Sequence, residues 1–475
     1  MQQTRTILRR AALALAIAGA LGAPLVAGAA TKSETQMQAR IAQLEKELAD
    51  LKAMVQQQAQ AQADLQTQQH AQAEAQQRAQ AEAQAAASKQ QAASAAPVFS
   101  SAPGVSVSMH GFVNVTAFSQ NKSFVFGNGQ NAEFPVAGAN GSLSGIDIRN
   151  TRFWFDFAGA KFAGDWTGGG RIEADFFGGF NGTGAYSRQQ PTPRLRQAYM
   201  DIANKQTGST VRVGQQWDLM FPLDNTPASL AHIAFPLGFG AGFVGWRFPG
   251  VVWMQDLNHG SQGTKWRFDM GAFDGNWSGP GDNINYLTAG NAGFRPQLEA
   301  RLRAQGSDWV AYVAGHYSKV ELSGVGGTAP TPIKSSIDSV GYEVGGSWKP
   351  GDWLFKGLVY SGKGLGQIFG ALAQFGDIQE TGGFLQAGYS FTPNWSAYAF
   401  YGLSKPSRND VVDWLGNGSV GRLKNRQAAL SLQYTAGAYD LGLEWLHDTL
   451  DSTSDGITTK KTSGNQLSVS AMYRF

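Results

Sequence analysis

From Gln466 to the C-terminal Phe475 the chain alternates without a break. Leu467, Val469, Ala471, Tyr473 and Phe475 fall on one side of an extended strand, and Gln466, Ser468, Ser470, Met472 and Arg474 on the other, since successive strand side chains point to opposite faces. One face suits hydrocarbon and the other suits water. A soluble β-domain has no reason to end on an exposed Phe; a sheet that closes inside a bilayer does. The same period of two runs through residues 105–475, punctuated by turn residues. Beyond residue 29 there is no stretch of about 18 apolar residues to make a spanning helix. A closed barrel needs none, because its outward and inward residues alternate and average out. The 60 glycines, 11% aromatic and only 15% charged residues fit that architecture.

The turns carry a repeat. Asp165-Trp166, Asp308-Trp309, Asp352-Trp353 and Asn394-Trp395 each follow Gly, Ser or Pro and open an alternating run, with Lys265-Trp266 and Tyr439-Asp440 at equivalent places. The spacing is about 42–45 residues where no member is missing, the length of two strands and two connections. Asp or Asn makes a tight turn, and the aromatic lands at the membrane interface. A propeller also repeats at this period, but its blade has four short strands and this unit has two long ones. Longer polar, Gly-rich connections lie between, at 120–145, 178–194, 275–290, 323–335, 407–421 and 451–462. Short turns at one end and long loops at the other define an outer-membrane barrel. The expectation is an all-β transmembrane barrel of about 16 antiparallel strands over 105–475, with the second at 146–160 and the eighth at 293–305. An even count returns both ends to the periplasm.

Residues 1–29 have the parts of a signal peptide: Arg5, Arg9 and Arg10, an apolar run, and Ala27-Gly28-Ala29 as a cleavage site. Without those arginines the chain has 35 basic and 35 acidic side chains, so its basicity is a targeting signal and no sign of nucleic-acid binding. Residues 30–91 predict an N-terminal α-helical coiled coil in the periplasm. Ile41, Leu48 and Val55 take heptad position a, and Leu44 and Leu51 position d. Arg40 at g faces Glu45 at e of a neighbouring copy, and the run from Arg40 to Glu45 resembles a signature of parallel three-stranded coiled coils. The Ala/Ser/Pro stretch at 92–104 is expected to be a linker.

Alternation also predicts what lines the lumen. A charge facing lipid costs about 2–4 kcal/mol at the midplane, so Arg152, Asp156, Arg171, Glu173, Asp175, Arg194, Arg196, Arg212, Gln216, Arg295, Gln297, Glu299, Arg301 and Arg303 are assigned inward. Arginine outnumbers acid among them, and charged rings set ion preference. A structural ladder, each Arg paired with Glu173, Asp175, Asp156 or Glu299, is the alternative. One connection breaks the polar rule. Residues 221–243 carry only Asp224 and His232 as titratable groups amid apolar residues and prolines, so the loop should leave water, either by folding into the lumen as a constriction or by contacting a neighbouring subunit.

The leader, the Gln/Ala-rich helix, the opening Met109-His110-Gly111-Phe112-Val113, the run Arg-Val-Gly-Gln-Gln-Trp at 212–217 and the Tyr-Arg-Phe end together resemble the DcaP-like outer-membrane porins. That resemblance implies a homotrimer of sixteen-stranded barrels in the outer membrane of a Gram-negative bacterium, taking small anionic solutes, notably dicarboxylates. Phosphate-selective porins would need a denser Arg/Lys ladder, and a general diffusion porin is a further alternative. Peptidoglycan is a partner open to the coiled coil if it acts as a tether. No cofactor or metal is expected: cysteine is absent, and none of the six histidines pairs with a Ser and an acid in sequence, so no catalytic site is expected either.

Overall fold

The computed structural model describes residues 98–102, 104–124, 129–136, 142–178, 190–259, 261–274, 295–321, 336–368 and 374–475, with Arg40, Gln43, Lys46, Lys334 and Leu372. The chain divides into two units, Met1–Gln91 and Ala92–Phe475. In the first, Arg40, Gln43 and Lys46 are helical and exposed. The leader and the seam residues Ile41, Leu44, Glu45, Leu48, Leu51 and Val55 lie outside the described residues.

The second unit is a closed antiparallel barrel of sixteen strands. It starts earlier than expected: within the predicted linker, β1 (Val98–Ala102) folds back on the first residues of β2 (Val105–Gln120). These β2 residues lie beyond the end of the last strand, so their ladder groups need another partner. The second strand is broken. β2 pairs with β3 (Leu143–Asp147) along one half and with β4 (Arg152–Ala163) along the other. The interruption at 148–151 is a turn, Thr151 N donating to Ile148 O, and it frees the Asn150 side chain to reach inward. Each later strand then pairs with the next in sequence: β5 (Trp166–Asp175), β6 (Arg194–Asn204), β7 (Ser209–Trp217), β8 (Arg247–Asp256), β9 (Lys265–Phe273), β10 (Gln297–Gln305), β11 (Trp309–Glu321), β12 (Ser336–Trp348), β13 (Trp353–Lys363), β14 (Gln379–Ser390), β15 (Trp395–Pro406), β16 (Arg422–Ala436), β17 (Tyr439–Ser452) and β18 (Lys460–Arg474).

The seam that closes the ring joins β18 to β2. Gly111 and Phe475 exchange both backbone hydrogen bonds at 3.0 Å, and a Cβ on Gly111 would stand 2.6 Å from the Phe475 ring. The glycine of the opening motif and the terminal phenylalanine therefore form one joint. At the short-turn rim the repeated Asp and Asn carbonyls accept from the incoming strand: Lys349 N to Asp308 O, Ser390 N to Asp352 O, and Thr435 N to Asn394 O, at 2.7–2.9 Å. The aromatics beside them pair across strands, Trp353 with Tyr389, Trp395 with Tyr434 and Tyr439 with Tyr473, forming a belt of the kind found where barrels meet the membrane interface. Val313, Val359, Leu385, Tyr401, Leu430 and Val469 are exposed on the outside, while their neighbours Tyr312, Tyr360, Phe384, Phe400, Ala429 and Ser470 are buried inside.

Candidate functional site

The long connection between β7 and β8 lies inside the barrel. Its two ends are tied by Asp218, whose backbone N donates to Trp246 O at 2.8 Å and whose carboxylate accepts from Phe221 N and Trp246 N at 2.8 and 3.0 Å. Burial pushes this carboxyl well above its ordinary range, and the charge of Glu299 adds to the rise. Leu219 N donates to Glu299 Oε2 at 2.6 Å. From there the loop follows the inner wall. Asn225 Nδ2 donates to Gly357 O and Lys356 Nζ to Thr226 O, both at 2.7 Å. Gln386 bonds Ala228 in both directions. Ser229 and His232 both engage Glu444, at 2.7 and 2.6 Å. Gly238 N and Gly242 N donate to Gln427 Oε1 and Ser404 Oγ, and Asn150 grips Ala231 O and Ala234 N.

Its apolar residues Met220, Phe221, Phe235, Leu237, Phe239 and Phe243 pack on the inward Tyr312, Leu358, Tyr360, Phe384, Phe400 and Leu446. The rings meet edge to face, Phe239 and Phe243 at 4.9 Å, the arrangement the ring quadrupole favours. Gly242, at φ 141°, passes so close to the wall that a Cβ would lie 2.8 Å from Gly383 O. The lumen is thus filled along β11–β18, and Asp224 and His232 are wall contacts of the loop.

The wall from β4 to β10 carries the arginines, and most are paired. Arg171 grips Asp156 through Nε and Nη2 at 2.7 and 3.0 Å, Arg212 grips Asp201 at 2.7 and 2.8 Å, and Arg194 grips Asp175 at 3.0 and 2.7 Å. Arg196 bridges Glu173 and Asp175 at 2.5 and 2.6 Å. Arg301 reaches Asp269 at 3.0 Å, and Arg303 holds the loop through Asp224 at 2.6 and 2.8 Å. Arg152 approaches Glu173 only to 3.8 Å. Gln216 bonds backbone carbonyls of its own strand and of Gly250 at 3.4 Å, and Gln297 donates to Glu299 at 2.8 Å. Arg295 precedes β10, which begins at Gln297, and is exposed.

The paired state has a reason that simple alternation hides. Ladder register slips between Glu173 and Ala174, so that Glu173 faces Gln197 while Ala174 faces Leu195. Arg196 is the extra residue of a β-bulge, which puts one more side chain on the inner face and reverses the phase beyond it. Asp201, out of phase with Arg194 and Arg196 in sequence, thereby turns inward to Arg212. Asp269, Arg267 and Arg247 were likewise missed; the first two alternate visibly in β9 and could have been read.

A correction concerns histidine. His316 lies 2.9 Å from Glu299 Oε1 and 2.9 Å from Ser339 Oγ, a Ser–His–acid geometry assembled from three neighbouring strands. All three are buried, so the hydroxyl meets no solvent, and the trio braces the wall behind the loop.

Comparison with known proteins places this architecture. No protein-family model and no curated protein matches the chain. Among solved structures it is similar to the outer membrane channel DcaP of Acinetobacter baumannii, at 19% identity over 79% of this chain and 99% of that one, with a TM-score of 0.60. The fold is that of the DcaP channel. OmpF of Salmonella typhi, in complex with daunomycin, is similar at 12% identity over 80% of this chain and 100% of that one, with a TM-score of 0.51. The sixteen-stranded DcaP-like barrel expected from the sequence is therefore the observed fold.

Proposed function

We propose that this chain is an outer-membrane porin that forms an aqueous, anion-preferring channel for small negatively charged solutes such as dicarboxylates, as a homotrimer carrying its coiled coil in the periplasm. The observation that carries this reading is the asymmetry of the inner wall. The loop between β7 and β8 occupies the β11–β18 side, so solutes are left the arginine side. At two of the pairs there the guanidinium is clearly wetter than the carboxylate that holds it. Arg267 is 31% exposed over a fully buried Asp269, and Arg194 is 20% exposed over a fully buried Asp175. At those two pairs a passing anion meets cation first, and a unit pair at 4 Å is worth about 4 kcal/mol at an effective dielectric near 20. DcaP being an outer membrane channel supports the same reading.

The zero-current potential of the refolded mature protein in a planar bilayer under a KCl gradient tests it. Chloride preference is expected, moving toward potassium when Arg171, Arg212 and Arg267 are changed to Gln and their acids are released. Potassium preference in the unmodified protein would overturn it.

A further inference from the structure

Residues 129–136, in the first long connection, also lie inside the barrel. Gln130 Nε2 donates to Thr116 Oγ1 and Gln130 Oε1 accepts from Asn150 N, both at 2.8 Å, and Gln466 Nε2 donates to Gly129 O at 2.9 Å. Phe134, fully buried, packs with Leu372 and Leu450. The segment meets the 221–243 loop at Gly240, where an added Cβ would stand 3.1 Å from the Phe134 ring and 3.7 Å from Glu133 Oε2. Strands β16 and β17 form the wall at this meeting point. Gln427 Nε2 donates to Glu133 O and to Asp448 Oδ2, both at 3.2 Å. Asn425 Nδ2 donates to Gly240 O at 3.1 Å and to Asp448 Oδ2 at 3.3 Å. Glu133, Asn425 and Asp448, from a connection and two strands, are thereby drawn together around one buried point.

Each of the three keeps an oxygen with nothing to accept. Glu133 Oε1, Asn425 Oδ1 and Asp448 Oδ1 are all buried without a hydrogen-bond partner, in residues no more than 2% exposed. Reversing the Asn425 amide does not remove the problem. Its nitrogen already faces two acceptors, Gly240 O and Asp448 Oδ2, so the oxygen is left on the other side, where it needs a partner that is not an acceptor. Arg422 acts on Glu133 through its charge, but its guanidinium lies over the Phe134 ring at 4.4 Å and donates to Leu372 O at 3.0 Å, and Glu133 Oε1 stays without a donor. A carboxylate taken out of water without donors enough must protonate or hold a cation. Three orphaned oxygens, one of them an amide oxygen that a proton cannot satisfy, favour the cation.

We propose that Glu133, Asn425 and Asp448 form a binding site for a hard divalent cation, calcium, which ties residues 129–136 and the loop between β7 and β8 to β16 and β17. Carboxylate and amide oxygens, with no nitrogen or sulfur among them, suit calcium or magnesium over zinc or copper. Ligands drawn from a connection and two strands do not impose the near-ideal octahedron that magnesium demands, whereas calcium accepts irregular geometry. Because Glu133 comes from a connection, the site exists only while that connection is folded inward, and binding is linked to that inward state. The proposal does not depend on the ion preference of the open channel.

Calorimetric titration of calcium chloride, and separately of magnesium chloride, into the refolded full-length protein in detergent, freed of metal with EDTA and dialysed, tests it. One saturable calcium site per chain is expected, with magnesium at least tenfold weaker, and calcium should raise the melting temperature above that in EDTA. Glu133→Gln and Asp448→Asn should each weaken calcium binding at least tenfold and remove the thermal shift. Asp338→Asn, which changes an exposed acid at the start of β12, should do neither. In EDTA the Glu133→Gln barrel should melt no lower than the unmodified one, because it loses a buried carboxylate that lacks a donor; this shows that lost binding is not lost folding. No saturable heat from calcium, magnesium bound as tightly as calcium, or unchanged binding in the Glu133→Gln and Asp448→Asn barrels would overturn the proposal.

Discussion

At the scale of single residues, the tie between Asp224 and Arg303 shows how a loop is held to a wall. Burial by itself raises the Asp224 carboxyl, but the hydrogen bonds and the charge of Arg303 outweigh it, and the group sits below its ordinary range. A carboxyl depressed in the folded state stabilises it fully above the unfolded pKa, near 4, and loses that contribution as pH falls through the lower folded value. The loop should therefore loosen on acidification below about pH 4. Melting profiles from pH 7 to pH 3 should show this slope, and Asp224→Asn should flatten it while lowering stability at pH 7 by about 1.5–3 kcal/mol, as for a lost charged hydrogen bond. A variant that melts like the parent at pH 7 would show the bond to be idle. His232 makes a similar case without a charge argument. Its Nδ1 is 2.6 Å from a buried Glu444, and His232→Ala leaves that carboxylate with Ser229 alone, for an expected loss of about 1–3 kcal/mol on thermal unfolding.

Elements show where sequence reading works and where it stops. Strands β11 to β18 are legible because each is long and alternates cleanly, and β11, β13, β15 and β17 start at the repeated turn signature. The broken second strand and the β6 bulge escaped. A bulge inserts one residue with no compositional mark, and its effect, a reversed phase, looks in sequence like an acid on the wrong face. That is why the arginines of β6 and β7 were expected to outnumber their acids and instead met Asp201. The seam is legible at both ends but not as a joint: Gly111 and Phe475 are 364 positions apart, and only closure makes them neighbours. Gly111→Val should wedge against the ring and against Arg152 O, 2.7 Å from the ideal Cβ, at about 1–3 kcal/mol. Unheated gel mobility would report it as a smaller folded fraction, and a fully folded band at the parent's melting temperature would refute the joint.

For the whole molecule, the proposed trimer assigns assembly to the helix seam at Ile41, Leu44, Leu48, Leu51 and Val55. Sedimentation of detergent-solubilised protein with and without residues 31–100 separates two contributions. A trimer lost on truncation places assembly in the helix, a trimer kept places it on the barrel wall, and a monomer in both would sink the oligomer. By itself the sequence determined the barrel, a strand number of about 16, its outward face and the anomaly of the 221–243 loop, because these follow from local alternation, turn chemistry and the cost of apolar residues in water. Only the tertiary structure decided which arginines are paired with which acids, and that the loop lies against β11–β18. Those facts depend on register, a bulge and ring closure, which bring together side chains that nothing in their local sequence connects.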